Sequence, residues 1–388
     1  MNTVIDKHGM GIYIHIPFCV RKCVYCDFLS APADDEVKKT YMKALADEIE
    51  YVAKCNRNKI SKRIVKSIFF GGGTPTVVDA KDIECILNTV RKNFPVDSKA
   101  EITIECNPGT LNKEKADIYV QAGVNRISFG LQSPEDSLLK LLGRIHTFEQ
   151  FDESVKIARA AGIRNINVDI MAALPGQSLE SYVEGIKKVL RYEPEHISAY
   201  SLIIEEGTYL CDNLEEFPRL PDEDTERNMY YETAHLLKEY GYERYEISNY
   251  AKPGYECRHN LSYWDRTEYL GFGIGAASLF DKKRTSNTSD LQEYIELAGK
   301  RDVYSEKVTL SQQDAMEEFM FLGLRKVAGV SFEKFEQEFG LDIHSVYGEI
   351  ISKNVSLELM EYVGDKGVRL TERGIDISNV VLSDFLLT

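Results

Sequence analysis

"IYIHIPFCVRKCVYCDF", residues 12–28, runs an alternating stretch straight into three cysteines spaced C-x3-C-x2-C. Ile12, Ile14 and Ile16 alternate with Tyr13 and His15, the two-residue period of a strand with one apolar and one polar face. Cys19, Cys23 and Cys26 follow at its carboxyl end. In parallel α/β folds functional groups collect beyond that end of the strands, so a cofactor is expected at this loop. Three soft thiolates favour zinc or an iron–sulfur cluster. Structural zinc usually takes four protein ligands, commonly from paired C-x2-C units, and the chain holds no matching second pair. A [4Fe–4S] cluster is ordinarily held by four cysteines, so three leave one iron open to a ligand that is not protein.

The β-like pattern recurs at 65–70, 101–105, 126–132, 165–170 and 196–203, with helix-like segments near 36–55, 79–92, 112–122, 147–161 and 178–191. Strand–helix–strand crossovers in series predict parallel neighbours. Ile102 and Ile104 alternate with Thr103 and Glu105; Ile166, Val168 and Ile170 alternate with Asn167 and Asp169. A doubly wound sheet covered on both faces would be apolar on both. A closed eight-stranded barrel would fill its interior with branched apolar side chains. Six strands with a polar second face predict an incomplete (β/α)6 barrel whose inner face lines a wet cleft. Three regions are expected: a partial barrel over 1–215, an extension over 216–304, and a small, mainly helical C-terminal domain over 305–388.

The chain has 388 residues, a net charge of −15 and no apolar run near the length of a membrane span. Its basic clusters are small, such as Lys282–Arg284, so nucleic acid is not expected as a ligand. The first residues carry no pattern of a secretory signal. The expected setting is the reducing cytoplasm, where the eight cysteines are thiols or metal ligands rather than disulfides. Cys55, Cys85, Cys106 and Cys211 are scattered and read as buried or incidental thiols, with Cys106 turned to the face opposite Glu105.

The three-cysteine loop, with aromatic Tyr25 before its last cysteine, resembles the radical S-adenosylmethionine (SAM) superfamily. That resemblance implies a [4Fe–4S] cluster on Cys19, Cys23 and Cys26, with SAM on the open iron. "FFGGGTPT" (69–76) is similar to the family's segment for the SAM amino group, which implies contacts from Gly72, Gly73 and Thr74. Tyr13, Glu105, Gln132, Arg144 and Asp169 fall at positions matching SAM contacts in the coproporphyrinogen-oxidase branch. Arg144 suits the SAM carboxylate; Glu105, Asp169 and Gln132 suit its hydroxyl, amino and adenine groups.

Within that branch the chain resembles both oxygen-independent coproporphyrinogen III oxidase and the HemW-type heme chaperones. The oxidase usually carries one more cysteine where this chain has Phe28, and a longer segment before its first strand. Both differences put oxidative decarboxylation of porphyrin propionates in doubt and leave the oxidase as the alternative. "HNLSYW" (259–264) resembles the HNxxYW motif of the chaperones. The resemblance implies heme or porphyrin as cargo, handed to a hemoprotein such as a membrane-bound one. His259 is the expected iron ligand, with Cys257 as the alternative, and Tyr263 and Trp264 the expected packing for the porphyrin. From the residues alone, a buried His–aromatic cluster is the favoured reading, and it is the resemblance that points to heme.

Overall fold

The computed structural model describes residues 8–387. All six expected strands form: β1 His8–Ile16, β2 Arg63–Gly72, β3 Val96–Cys106, β4 Arg126–Gln132, β5 Asn165–Ala172 and β6 His196–Ser201. Each pairs in parallel with the next. The crossover helices are Asp35–Cys55, Ala80–Asn93, Lys113–Gln121, Phe148–Ala161 and Leu179–Leu190. Asp34, Asp79, Asn112, Thr147 and Ser178 stand just before them, and each side chain accepts a backbone N–H of the first turn. Such caps satisfy donors that the helix itself leaves free, which fixes where each helix starts.

The two strand faces separate as their alternation predicts. Ile12, Ile14, Ile68, Phe70, Ile102, Ile104, Ile127 and Ile166 join the helices in one buried apolar core. Their neighbours Tyr13, Ser67, Glu105, Ser128 and Asp169 turn to the inner face, where they meet one another. The core therefore lies outside the strands, and the inner face is polar.

Less of the extension was visible in the sequence. β7 Glu243–Arg244 and β8 Asn249–Ala251 add antiparallel pairing beyond β6. On the other edge, β9 Tyr269–Phe272 lies parallel to β1, followed by the antiparallel strands β10 Ala277–Phe280, β11 Lys283–Asn287 and β12 Tyr304–Thr309. The strand order is linear, from β12 to β7, so this sheet does not close on itself. "GFGIGA" (271–276) turns from β9 to β10 against the barrel. Gly273 has φ +100°, and a Cβ there would lie 2.4 Å from the Tyr41 hydroxyl, so only glycine fits.

Residue 305, the expected start of the C-terminal domain, falls inside β12. A second apolar cluster starts at Met316 and holds Met320, Phe335, Tyr347, Ile351 and Phe385. It is built from helices Gln312–Gly323, Phe332–Phe339 and Ile343–Ser356, two short terminal helices and a three-stranded sheet. Among the described residues no helix is long and apolar enough to cross a membrane.

Candidate functional site

The cysteine loop closes on itself through Cys26 N–H to Cys23 O (3.3 Å) and is moored further by its neighbours. Cys19 N–H donates to Ala31 O (3.1 Å), Val24 N–H to Leu142 O (3.1 Å), and Leu210 N–H to Val24 O (2.9 Å). The glycine run after β2 packs directly beneath it: Gly73 N–H reaches Ile16 O and Thr74 N–H reaches Phe18 O. A Cβ on Gly73 would lie 2.6 Å from Phe18 O and 3.0 Å from Cys19 Sγ. The glycines thus let the protein approach itself, as well as leaving room for a ligand.

A cavity of about 500 Å³ opens where these loops meet the strand ends. Cys19, Cys23, Tyr25, Cys26, Gly72, Gly73, Thr74, Glu105, Gln132, Arg144 and Asp169 all line it. Of the expected SAM contacts only Tyr13 lies apart from that lining. Its hydroxyl is 3.0 Å from His15 Nδ1, and its ring stacks near Phe69 and His259 deeper in the barrel. Sequence reasoning missed Asn107, Tyr200 and Asn260, which also line the cavity. Asn107 could have been found, because it lies two residues past Glu105 at the same strand end. Asn260 was read only as part of the heme motif.

Arg144 organises the mouth. Its Nη1 lies 3.6 Å from Cys23 Sγ, and its Nη2 donates to Asn107 Oδ1 (2.8 Å) and to Gly130 O. Burial opposes its charge, but Tyr25 and Cys23 beside it raise its pKa overall. Its Nε is buried with no partner, a donor left over for an anionic ligand. Deeper in, burial, and then the charge of Asp169, push the Glu105 carboxyl up to about 8, against the Gly72 N–H and Arg126. Burial also raises Asp169, eased by Ser198, Asn167 and Arg126. Two buried acids that resist ionisation form a ready seat for a cation or for hydroxyl donors.

The three thiols are free and partly exposed. Burial raises the Cys26 pKa, the Phe28 N–H opposes this, and the neighbouring cysteines raise it further. Mutually opposed thiols of this kind suit an electron-poor iron centre that stabilises thiolates. Among the described residues no group of three or more His, Cys, Asp or Glu is gathered closely enough to hold a single metal ion. The three thiols stand at the mouth of the cavity, with the unpartnered Arg144 Nε beside them and the Glu105–Asp169 pair deeper in.

The HNLSYW segment enters from the opposite end of the barrel and reaches the cavity only through Asn260. Helix Arg258–Trp264 packs against β1 and β2, and Glu101 receives the backbone N–H of Arg258 and of His259, each at 3.1 Å. The His259 ring is buried against Phe69, with Nδ1 2.9 Å from Ser67 Oγ and Nε2 2.9 Å from Tyr263 Oη. Burial, helped by Arg126, lowers its pKa to about 3. Burial drives the Cys257 thiol up to about 12. Both expected iron ligands are therefore occupied or inert in this arrangement: each ring nitrogen of His259 already has a protein hydroxyl. In this arrangement the helix carries a buried His–aromatic cluster. Tyr263 packs edge-on between His259 and Tyr269, while Trp264 reaches the other side of the helix, with the Arg325 guanidinium 4.6 Å from its ring centre. Cys106 is buried 3.7 Å from the Thr110 hydroxyl within the outer core, as its alternation implied.

Residues 13–189 match the model of the radical SAM superfamily, and residues 310–377 match that of the HemN C-terminal domain. Heme chaperone HemW from Lactococcus lactis is 36% identical over 376 residues, covering 97% of each chain. The Bacillus subtilis protein of the same name is 36% identical over 379 residues, covering 96% of this chain and 98% of its own. The chain belongs to the HemW family. The structure also resembles coproporphyrinogen III oxidase (HemN) from Escherichia coli, with a TM-score of 0.85 at 22% identity over 98% of this chain and 90% of that one. At that identity the likeness speaks for the fold. The HemW family thus shares the radical SAM barrel and the C-terminal domain with that enzyme.

Proposed function

We propose that this protein is a cytoplasmic heme chaperone that binds one [4Fe–4S] cluster and SAM, carries heme, and passes it to a hemoprotein acceptor, membrane-bound ones included. The carrying observation is the conjunction, in a chain of the HemW family, of a cavity lined by the three cysteines and every expected SAM contact but Tyr13 with Phe28 at the position of the oxidase's further cysteine. Phe28 lines the mouth of the cavity and is 62% exposed, a large apolar surface turned outward beside the cluster loop.

Cys19, Cys23 and Cys26 would hold the cluster, which when reduced supplies an electron to the SAM sulfonium. The protein's own part is positioning. Arg144 binds the carboxylate of the ligand through its free Nε edge and keeps its charge beside Cys23. Gly72 offers close backbone approach at φ +111°. Glu105 and Asp169 accept from hydroxyl and amino groups; Glu105, raised by burial to about 8, can hold a proton at neutral pH, and burial shifts Asp169 in the same direction. Gln132, held by the Tyr200 hydroxyl at 2.8 Å, presents its amide beside them.

The test is anaerobic reconstitution followed by two assays on the same sample: hemin titration, and incubation with SAM, a reductant and coproporphyrinogen III. The expected result is saturable hemin binding with no protoporphyrinogen IX. Robust conversion of the porphyrinogen would overturn the chaperone reading in favour of the oxidase.

A further inference from the structure

With His259 sealed inside the barrel, the cargo needs another seat. The HNLSYW helix ends at Trp264, on the edge of a groove of about 720 Å³ between that helix and the C-terminal domain. The volume lies within the roughly 300–1,000 Å³ typical of small-molecule and cofactor sites. Trp264, Phe319, Val330 and Val363 give it an apolar lining, and Lys334 and Lys366 stand on its walls.

Its charges are unequal once internal pairs are set aside. Arg266 is bound to Glu318 and Glu338, and Lys326 to Asp265. Among the described residues Lys334 and Lys366 form no ion pair, so two free ammonium groups remain. Trp264 Nε1 is buried without a hydrogen-bond partner, which leaves one polar donor unsatisfied at the same place. An occupant that answers these features is flat and apolar over most of its area and carries two carboxylates.

We propose that heme docks in this groove, its macrocycle against Trp264, Phe319, Val330 and Val363 and its two propionates on Lys334 and Lys366. The proposal rests on the heme-carrying reading above and adds the place and the mode of holding. No histidine, cysteine or methionine lines the groove. The iron therefore keeps its axial positions free of protein ligands from this groove, and an acceptor's own ligand can take the metal without displacing one. The cavity mouth is the rival seat, with Phe28 and Ile203 exposed beside Arg21 and Lys22. Its Lys22 Nζ is already bound to Phe28 O at 3.1 Å.

The experiment uses the full chain with its cluster reconstituted and follows the Soret band on titration with hemin. Three proteins are compared: the unaltered chain, Lys334→Glu/Lys366→Glu, and Arg21→Glu. Both lysines are exposed, so their reversal leaves the apolar clusters intact. Reversing both is expected to weaken hemin binding by about tenfold or more. Iron content should be unchanged, and Arg21→Glu should bind as the unaltered chain does. Hemin dimethyl ester, which lacks the propionate charges, should bind the unaltered chain and the lysine variant equally. Equal hemin affinity in the lysine variant, or loss confined to Arg21→Glu, overturns the groove while leaving the chaperone reading in place. Failure of the unaltered chain to bind hemin overturns both.

Discussion

At the carboxyl end of the six parallel strands Glu105, Asp169 and Arg144 face open space; at the amino end Glu101, Arg126 and His259 face one another. Both sets sit on the same polar inner face. At the closed end the chain supplies most partners itself: Glu101 caps the helix that enters, Ser67 and Tyr263 take both His259 nitrogens, and Arg126, whose Nε lacks a hydrogen-bond partner, keeps its charge despite burial through Cys257 and Glu101. At the open end the donors and acceptors outnumber their partners, as the unpaired Arg144 Nε and the raised Glu105 show. One end is a plug that holds the barrel together; the other holds polar groups in reserve for a ligand.

The largest test of that contrast removes the reserve. Serine in place of Cys19, Cys23 and Cys26 should abolish iron uptake and the cluster's visible absorbance. The thermal midpoint of the protein without its cluster should barely move, because these thiols lie outside the apolar clusters. A collapse of the fold would mean that the loop is structural after all. The next largest acts on the plug. Glu101→Gln strips the charge from beneath a helix start and removes one of the negative neighbours of the buried Arg126. Weakening hydrogen bonds to a buried charged acceptor of this kind costs about 1.5–3 kcal/mol. Chemical denaturation should report the loss, with iron uptake in the folded fraction retained.

The six strands, five crossovers and the residues of the cavity were legible because alternation, cap residues and strand ends are local signals. Ile12, Ile14 and Ile16 announce their face within five residues. The place of His259 was not legible. Its role depends on Ser67, 192 positions away, and on a helix entering the barrel from a segment whose own pattern is weak. β9 to β12 escaped for a similar reason: they are short, and Tyr269–Phe272 is a strand because β1 offers it an edge. The propensity of four residues does not decide that. Tyr13 shows the limit of matching positions: it lies on the inner face as alternation requires, yet its hydroxyl is spent on His15.

The smallest effect is a gain, and it appears at the open end. In the folded, ligand-free protein the Glu105 pKa is raised from 4.5 to about 8. The unfolded chain then binds fewer protons than the native one between those values, so stability falls as pH rises through that window and levels off above it. Glu105→Gln keeps an acceptor for the Gly72 N–H and cannot ionise. Its melting temperature should match the parent near pH 4.5 and exceed it by a few degrees at pH 8, a difference set by the lost proton rather than by packing. Bound SAM brings positive charge to the same carboxyl and should favour its ionised form, so SAM affinity in the parent should rise with pH toward 8 and stay flat in the variant. Parallel melting curves at every pH would show that Glu105 already has a counter-charge in the empty cavity, and the distinction between the two ends of the barrel would lose its electrostatic basis.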